Sequence, residues 1–507
     1  MPSLPDYAAF QTAAQGADLV VLAVPIPFDH ETPVTLADRF VGEDAVFLLE
    51  SATSGPHARY SFVGFDPLWT WSWSRDHGAV AQLTTAAGVE SLPLPDGDPV
   101  AGLRSVMERH RLATVYPAGV RLGGPDVAAM VGATGFFGYD VAAALEPSVG
   151  SPPPKTLGLP DANFFVPRTF LVLDHLARRL FVTRLAAIGA DRGDAALRTV
   201  FDAETQKLKE LLKRLSAMHG PPPLALTDAP PDYEACRAAF TYEQFIGRAR
   251  RCLEEIRAGE IFQIQIGNRL SCQTEARPYD IFRHLRMLNP SPYMFYYKLG
   301  EHHVLGASPE MMVTVQGRRV IHRPIAGTRR RTWDVAKDVR MRRELVESEK
   351  ERAEHVMLVD LARNDVGRIA APGTVKVEEL MTVEEYSHVF HMVSQVAGEL
   401  APGQDAYKAL AAGFPNGTVS GAPKIRAMQL INELEQVSRE FYAGSLGQFD
   451  FQGDLRSTLL IRTIHVAAGV ASTQASAGIV YDSTPEDEWL ETRNKMAACL
   501  TAMQNTK

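Results

Sequence analysis

Two short stretches place carboxylates in pairs at helical spacing. In KERAEH (350–355), Glu351 and Glu354 lie three residues apart. On a helix both project from one face, with Cβ atoms about 5–6 Å apart. EWLETRNK (488–495) repeats that spacing at Glu488 and Glu491 and sets Lys495 one turn further along. Taken singly, each pair reads as a solvated helix face, and Glu491 with Lys495 as an i,i+4 ion pair worth a few tenths of a kcal/mol. Taken together they could wall a cleft whose four carboxylates hold a hard divalent cation through oxygen. Spacing alone does not turn the two helices toward each other.

Other segments offer less. FPNGTVSGAPK (414–424) could present backbone N–H groups to an anion at a helix start. It is not a Walker A loop, since its glycines are four apart and Pro423 precedes Lys424. GATGFFG (132–138) fails the dinucleotide fingerprint. His388 and His391 in YSHVFHMVS lack the HExxH pattern of a zinc site and read by default as core histidines. Neither a GxSxG elbow nor a tight Gly-flanked Cys is present, so a nucleophilic Ser or Cys has no support.

These residues need elements to hold them. Strands are expected over 47–50, 60–63, 68–73, 260–270, 293–299, 311–315, 445–451 and 459–467, with two more within 171–184. Helices are expected over 203–217, 337–360, 422–434 and 486–503. Strand runs joined by short turns point to antiparallel sheets with helices outside. Trp69, Trp71 and Trp73 alternate with small polar residues and form one strand face, an ordinary packed face before a base-stacking platform. The Pro-rich stretch HGPPPLALTDAPP (219–231) marks the better division of the chain, into 1–218, a linker over 219–235, and 236–507.

With 507 residues, 52 basic against 60 acidic and a net charge of −8, the chain has ample core and no basic block for nucleic acid or an anionic membrane. The four cysteines show no CxxC spacing, which argues against a disulfide scaffold or structural zinc. No apolar run approaches a membrane span, and MPSLPDYAAFQ lacks the layout of a secretory signal. A cytoplasmic protein is expected.

Six ordered blocks then carry a resemblance: RPIAGTRRR (323–331), KERAEHVMLVDLARNDVGRI (350–369), EEYSHVFHMVSQV (384–396), FPNGTVSGAPKIRAM (414–428), IRT (461–463) and SAGIVYDSTPEDEWLETRNK (476–495). FLLESATSGPHARYSFVG (47–64) extends it into the first half. The chain resembles the chorismate-utilising enzymes, and among them the anthranilate synthase large subunits most closely. The resemblance implies an α+β fold of two large, mainly antiparallel sheets packed face to face, with helices outside. It implies Mg²⁺ held principally by Glu354 and Glu491, with Glu351 and Glu488 in support. Tyr442, Arg462, Gly478 and Lys495 match positions that grip the substrate carboxylates; Thr418, Gly327 and Thr328 line the same pocket, and His391 matches the catalytic histidine.

Two positions separate the family's reactions. Isochorismate and salicylate synthases carry a water-activating Lys where this chain has Gln263, which cannot act as a general base. Aminodeoxychorismate synthases typically carry an attacking Lys where this chain has Ala326. The expected reaction is therefore addition of ammonia to chorismate, giving aminodeoxyisochorismate, and loss of pyruvate to give anthranilate. Arg330, Arg331 and Thr332, and the strand segment 264–268 (IQIGN), depart from the commoner family pattern near the pocket. A synthase that stops before pyruvate loss, an aminodeoxychorismate synthase, and a non-catalytic chorismate- or tryptophan-binding regulator remain alternatives. Leu49, Glu50 and Ser51, with Asn289, Pro290, Ser291, Pro292, Tyr293 and Met294, match the two segments of a tryptophan feedback site. No glutaminase region accompanies the blocks, so the resemblance implies a separate glutamine amidotransferase subunit in a heterodimer or heterotetramer.

Overall fold

The computed structural model describes every residue except 1, 30, 53–58, 121–125, 218–219, 226–228, 387–388 and 507. Along the first half run β1 (Ala45–Glu50), β2 (Tyr60–Trp73), β3 (Gly132–Phe137) and β4 (Ala162–Asp174). The aromatic and β-branched residues of these runs suit pleated, buried surfaces. β2 and β4 are long strands paired along their lengths, and a register shift between Pro67 and Trp69 bends the pair. Trp69, Trp71 and Trp73 are all buried, a packed face as expected.

The second half contributes β5 (Gln263–Gln273), β6 (Tyr293–Leu299), β7 (His302–Ser308), β8 (Met311–Gln316), β9 (Arg319–His322) and β10 (Ile325–Arg330). Helices α1 (Val335–Glu347) and α2 (Glu349–Gly367) follow, then β11 (Val389–Glu399) and α3 (Lys424–Leu434). Last come β12 (Ser445–Asp450), β13 (Leu455–Leu459), β14 (Thr463–Ala467), β15 (Val470–Ile479) and α4 (Pro485–Asn505).

One sheet runs β4–β2–β1–β6–β7–β14–β15–β5, all antiparallel. The other runs β4–β3–β12–β13–β8–β9–β11–β10, also antiparallel. The bent β2–β4 pair belongs to both, so the sheets are continuous at one margin and face each other elsewhere. Across the gap, Phe136 of β3 meets the Tyr297 ring edge-on at 5.9 Å, and the Tyr297 hydroxyl donates to Asn163 at 2.5 Å. The fold is α+β, two large, mainly antiparallel sheets with helices outside. β1 pairs with β6 and β3 with β12, so residues on both sides of the Pro-rich stretch share each sheet.

Two expected elements are broken, both at the site. The helix expected over 337–360 is two helices, because Ser348 adopts an extended backbone and its hydroxyl accepts from the Glu351 amide, capping α2. The strand expected over 459–467 is also two, β13 and β14, with Arg462 between them at φ 51. A non-glycine residue there is uncommon and persists when its surroundings fix it.

A buried ion pair ties the site-bearing elements together. Arg439 donates through Nε to Glu435 at 2.8 Å, and through its terminal nitrogens to Glu435, the Val419 carbonyl and the Gln265 carbonyl, each at 2.7 Å. Glu435 in turn accepts the Gly267 amide at 2.8 Å. Glu435→Ala strands a buried guanidinium and should cost about 3–5 kcal/mol. A denaturation midpoint unmoved by that substitution would contradict this role.

Spacing gave no sign of the bond between Cys236 and Cys272, whose sulfurs are joined. It fixes the segment after the Pro-rich stretch to β5, while the Tyr233 hydroxyl donates to the Arg493 carbonyl of α4 at 2.9 Å. Among the described residues no helix is long and apolar enough to cross a membrane.

Candidate active site between α2 and α4

The cap at Ser348 puts Glu351 and Glu354 in the first two turns of α2. α4 begins with Pro485 and carries Glu488 and Glu491 in its first two turns. The structure brings these two pairs into one field. Burial raises the Glu354 pKa, and the negative charges of Glu351 and then Glu491 raise it further. Burial likewise raises Glu488, with Glu491 adding to the effect, and Glu488 Oε2 is buried without a hydrogen-bond partner. Cations answer the other two: Arg329 Nη1 lies 2.8 Å from Glu351 Oε1, and Lys495 Nζ 2.5 Å from Glu491 Oε1.

Among the described residues no three His, Cys, Asp or Glu side chains converge closely enough to hold a metal ion. The donors nonetheless fit a hard divalent cation: all are carboxylates, one has an orphaned buried oxygen, and their mutual repulsion calls for positive charge. The residues that would hold it are Glu354 and Glu491, then Glu351 and Glu488.

Opposite the acids stand donors. Lys495 Nζ donates to the Ser476 carbonyl at 2.9 Å, and Arg462 Nη1 to the Lys495 carbonyl at 2.5 Å. The Tyr442 hydroxyl is 2.8 Å from Ser476 Oγ. Gly478 faces Gln263 and Gln265, and a Cβ there would stand 2.7 Å from Gln265 Nε2 and 3.1 Å from Gln263 Nε2. A larger residue there would push those two amide groups aside.

His391 of β11 pairs with Thr328 of β10. Its Nδ1 lies 3.1 Å from Thr328 Oγ1 and 3.3 Å from the Gly327 carbonyl. Burial pushes its pKa down to about 4, with the Arg462 charge contributing. The imidazole is therefore neutral near pH 7. With Nδ1–H given to Gly327, Nε2 keeps a free lone pair. Gly327 has φ 70, and a Cβ on it would come within 3.1 Å of Glu351 Oε2. Glycine thus lets the β10 strand carry His391's partners up to the carboxylates. Ala326 pairs with Met392 and offers no functional group at its place. His388 lies outside the described residues.

Sequence reasoning missed Glu310, which immediately precedes β8 and is buried at 6% exposure. Its Oε1 accepts the Thr418 hydroxyl at 2.9 Å, and burial raises its pKa to about 8 despite that bond and the charge of Lys495. It is protonated near pH 7. The available signal was one acid inside an apolar run, VLGASPEMMVTV (304–315), with no nearby partner in sequence.

The two segments matched to a feedback site also meet. Met294 pairs with Glu50 and Phe295 with Leu49, while the Ala52 amide donates to the Ser291 carbonyl at 3.1 Å. Leu49, Glu50, Ser51, Pro292, Tyr293 and Met294 line a cavity of about 270 Å³ that also exposes Arg59 and Arg456. Asn289, Pro290 and Ser291 do not line it. On the far side the cavity touches Met311 and Thr458, and the Thr458 hydroxyl donates to the Glu310 carbonyl at 2.7 Å.

The profile of the chorismate binding enzyme family matches residues 63–501. Anthranilate synthase component 1 of Streptomyces coelicolor is 42% identical, with 100% of this chain aligned to 93% of that protein. The crystal structure of anthranilate synthase component I from Streptococcus pneumoniae superposes with a TM-score of 0.73 at 34% identity, covering 89% of this chain and 93% of that one. The menaquinone-specific isochorismate synthase MenF of Escherichia coli shares the fold, with a TM-score of 0.69 at 18% identity over 99% of this chain and 96% of that one.

Proposed function

The chain belongs to the chorismate-binding enzymes, and on that premise we propose that it converts chorismate and ammonia to anthranilate and pyruvate. One observation carries the choice of reaction. Gln263, a buried neutral carboxamide, lies beside Gly478 where a water-activating lysine would select isochorismate. Full-length relatives named anthranilate synthase component 1 support the same reading.

Chorismate is a dianion. Mg²⁺ held between α2 and α4 would neutralise the ring carboxylate and draw electron density from the ring as the hydroxyl departs. Arg462, Tyr442, Gly478 and Lys495 hold the second carboxylate and fix the ring against Thr418. Glu310, protonated by its burial, gives its proton to the leaving hydroxyl, which departs as water while ammonia bonds to the ring carbon beside the carboxylate-bearing one. The ammonium so formed returns a proton to the Glu310 carboxylate. Neutral His391 then takes, at Nε2, the proton of the amine-bearing carbon as the enolpyruvyl C–O bond breaks, and the departing pyruvate enolate takes a proton at its methylene carbon. Aromatisation and pyruvate release complete the reaction. Purified chain given chorismate, Mg²⁺ and an ammonium salt should develop anthranilate fluorescence; chorismate left intact by a folded, chorismate-binding sample would refute the reading.

The component 1 naming of the relatives implies a second component, and the partner we propose is a cytoplasmic glutamine amidotransferase supplying ammonia. Tryptophan is the proposed inhibitor. The second cavity sets cations, the Glu50 carboxylate and apolar walls around a space suited to an aromatic zwitterion. The Thr458–Glu310 contact gives it a short path to the proposed proton donor. Substituting Ser51 by Leu should raise the tryptophan concentration for half inhibition by about 5–150-fold, the usual range of allosteric coupling, with turnover retained. Loss of turnover without relief of inhibition would mark the position as structural.

A further inference from the structure

A base that takes a proton from carbon must hold its lone pair in one place, and the torsions of His391 do not ensure that. The last torsion of an imidazole is broad and roughly two-fold. The contacts of Nδ1 with Thr328 Oγ1 and the Gly327 carbonyl, at 3.1 and 3.3 Å, hold one edge of the ring. The other support is aromatic. The Tyr386 ring stands at 76° to the imidazole with centroids 5.1 Å apart, within the range of favourable edge-to-face pairs.

Tyr386 follows directly on the strand Lys376–Glu385 and is itself held by other side chains. Its hydroxyl donates to Glu384 Oε2 at 3.0 Å. Glu384 pairs with His391 across the strands, and Arg323 donates to its carboxylate through both terminal nitrogens. That ion pair has a second effect. A free carboxylate so close would favour the protonated imidazole, and the Arg323 charge offsets it. The Tyr386 backbone is tied as well: its amide donates to the Val389 carbonyl at 2.9 Å, and its carbonyl accepts Arg331 Nη1 at 2.9 Å. Arg331, where the chain departs from the commoner family pattern, also pairs with Glu385 at 2.7 Å and lies 4.2 Å over the Trp333 ring. With hydroxyl, amide and carbonyl all anchored, the ring has little freedom to leave the imidazole.

We propose that Tyr386 is a positioning residue for pyruvate elimination: its ring confines the His391 imidazole so that Nε2 meets the proton of the amine-bearing carbon. The inference rests on the reading of this chain as an anthranilate-forming enzyme, and it gives Tyr386 no part in the amination. That step depends instead on Glu310, held by Thr418. Misplacing a catalytic group by about 1 Å costs on the order of 10²-fold in rate. Loss of the Tyr386 ring should therefore slow the second step and spare the first.

Single-turnover reactions with the full chain in excess over chorismate, in Mg²⁺ and ammonium, separate the two steps. Chorismate loss reports amination; anthranilate and pyruvate report elimination. Tyr386→Leu removes ring and hydroxyl, and Tyr386→Phe keeps the ring. In Tyr386→Leu, chorismate should disappear at the parent's rate while anthranilate and pyruvate form about 10–100-fold more slowly, with aminodeoxyisochorismate accumulating between. Tyr386→Phe should recover most of that loss, and both variants should bind chorismate as the parent does. An unchanged anthranilate rate in Tyr386→Leu overturns the proposal. So does an equal slowing of both steps or a loss of chorismate binding, either of which would make the residue structural. A Tyr386→Phe variant as slow as Tyr386→Leu would overturn the role of the ring. A parent chain that forms no anthranilate overturns the functional reading itself, and the two failures are thereby distinct.

Discussion

Glu354→Gln and Glu491→Gln should each reduce turnover of chorismate by at least about 10³-fold, near 4 kcal/mol of lost transition-state stabilisation. Each removes one of the two principal anions between α2 and α4, and with it the cation that would bear the substrate's ring carboxylate. Raising Mg²⁺ should recover only part of the rate. Stability should move the other way. Burial and neighbouring negative charge raise the Glu354 pKa in the folded chain. The fold therefore disfavours its ionised form, and the penalty is present above its ordinary pKa and relieved as pH falls. Near pH 8 without metal, Glu354→Gln should leave the denaturation midpoint unchanged or higher. Full activity in both variants would remove the metal argument; lost activity with a lowered midpoint in Glu354→Gln would make that residue structural.

Glu310→Gln should lower kcat by about 10²–10⁴-fold, the usual worth of a general acid, while chorismate still binds. Gln keeps an oxygen for the Thr418 hydroxyl, so the change removes the proton and little else. The pH dependence has a definite sign. The acid form is the active one and its pKa is raised to about 8. With free ammonia held constant, kcat should be level below about pH 8 and fall about tenfold per unit well above it. His391, lowered to about 4, keeps its lone pair throughout that range. The variant should show no such alkaline fall. A parent profile rising through pH 9 at constant free ammonia would exclude Glu310 as the donor.

Helical periodicity was enough to pair Glu351 with Glu354 and Glu488 with Glu491, because that relation is local. That the pairs share one field depends on β10, β11 and β15 presenting α2 and α4 to each other, which no spacing rule contains. The Glu491–Lys495 contact was legible as an i,i+4 pair and exists as one. What spacing could not tell is that Lys495 also reaches across to Ser476.

The two broken elements have separate causes. A serine in a charged helical run gives little warning of a cap, since propensity changes slowly there. Arg462 in the left-handed region contradicts local preference outright, and such conflicts concentrate where function holds the backbone. Glu310 was hidden for another reason: its partner Thr418 lies more than a hundred positions away, so its burial showed only as one acid in an apolar run. The antiparallel, helix-covered architecture was legible from strand alternation. The sharing of each sheet by both halves of the chain was not, because β1–β6 and β3–β12 are long-range pairings.

The most direct test of the central claim is a single time course of the purified chain with chorismate, Mg²⁺ and ammonium, following anthranilate and pyruvate together. The account predicts that both appear at equal rates, in equal amounts, as chorismate disappears. Consumption of chorismate that yields an aminated product retaining its enolpyruvyl group, with no pyruvate, would contradict it.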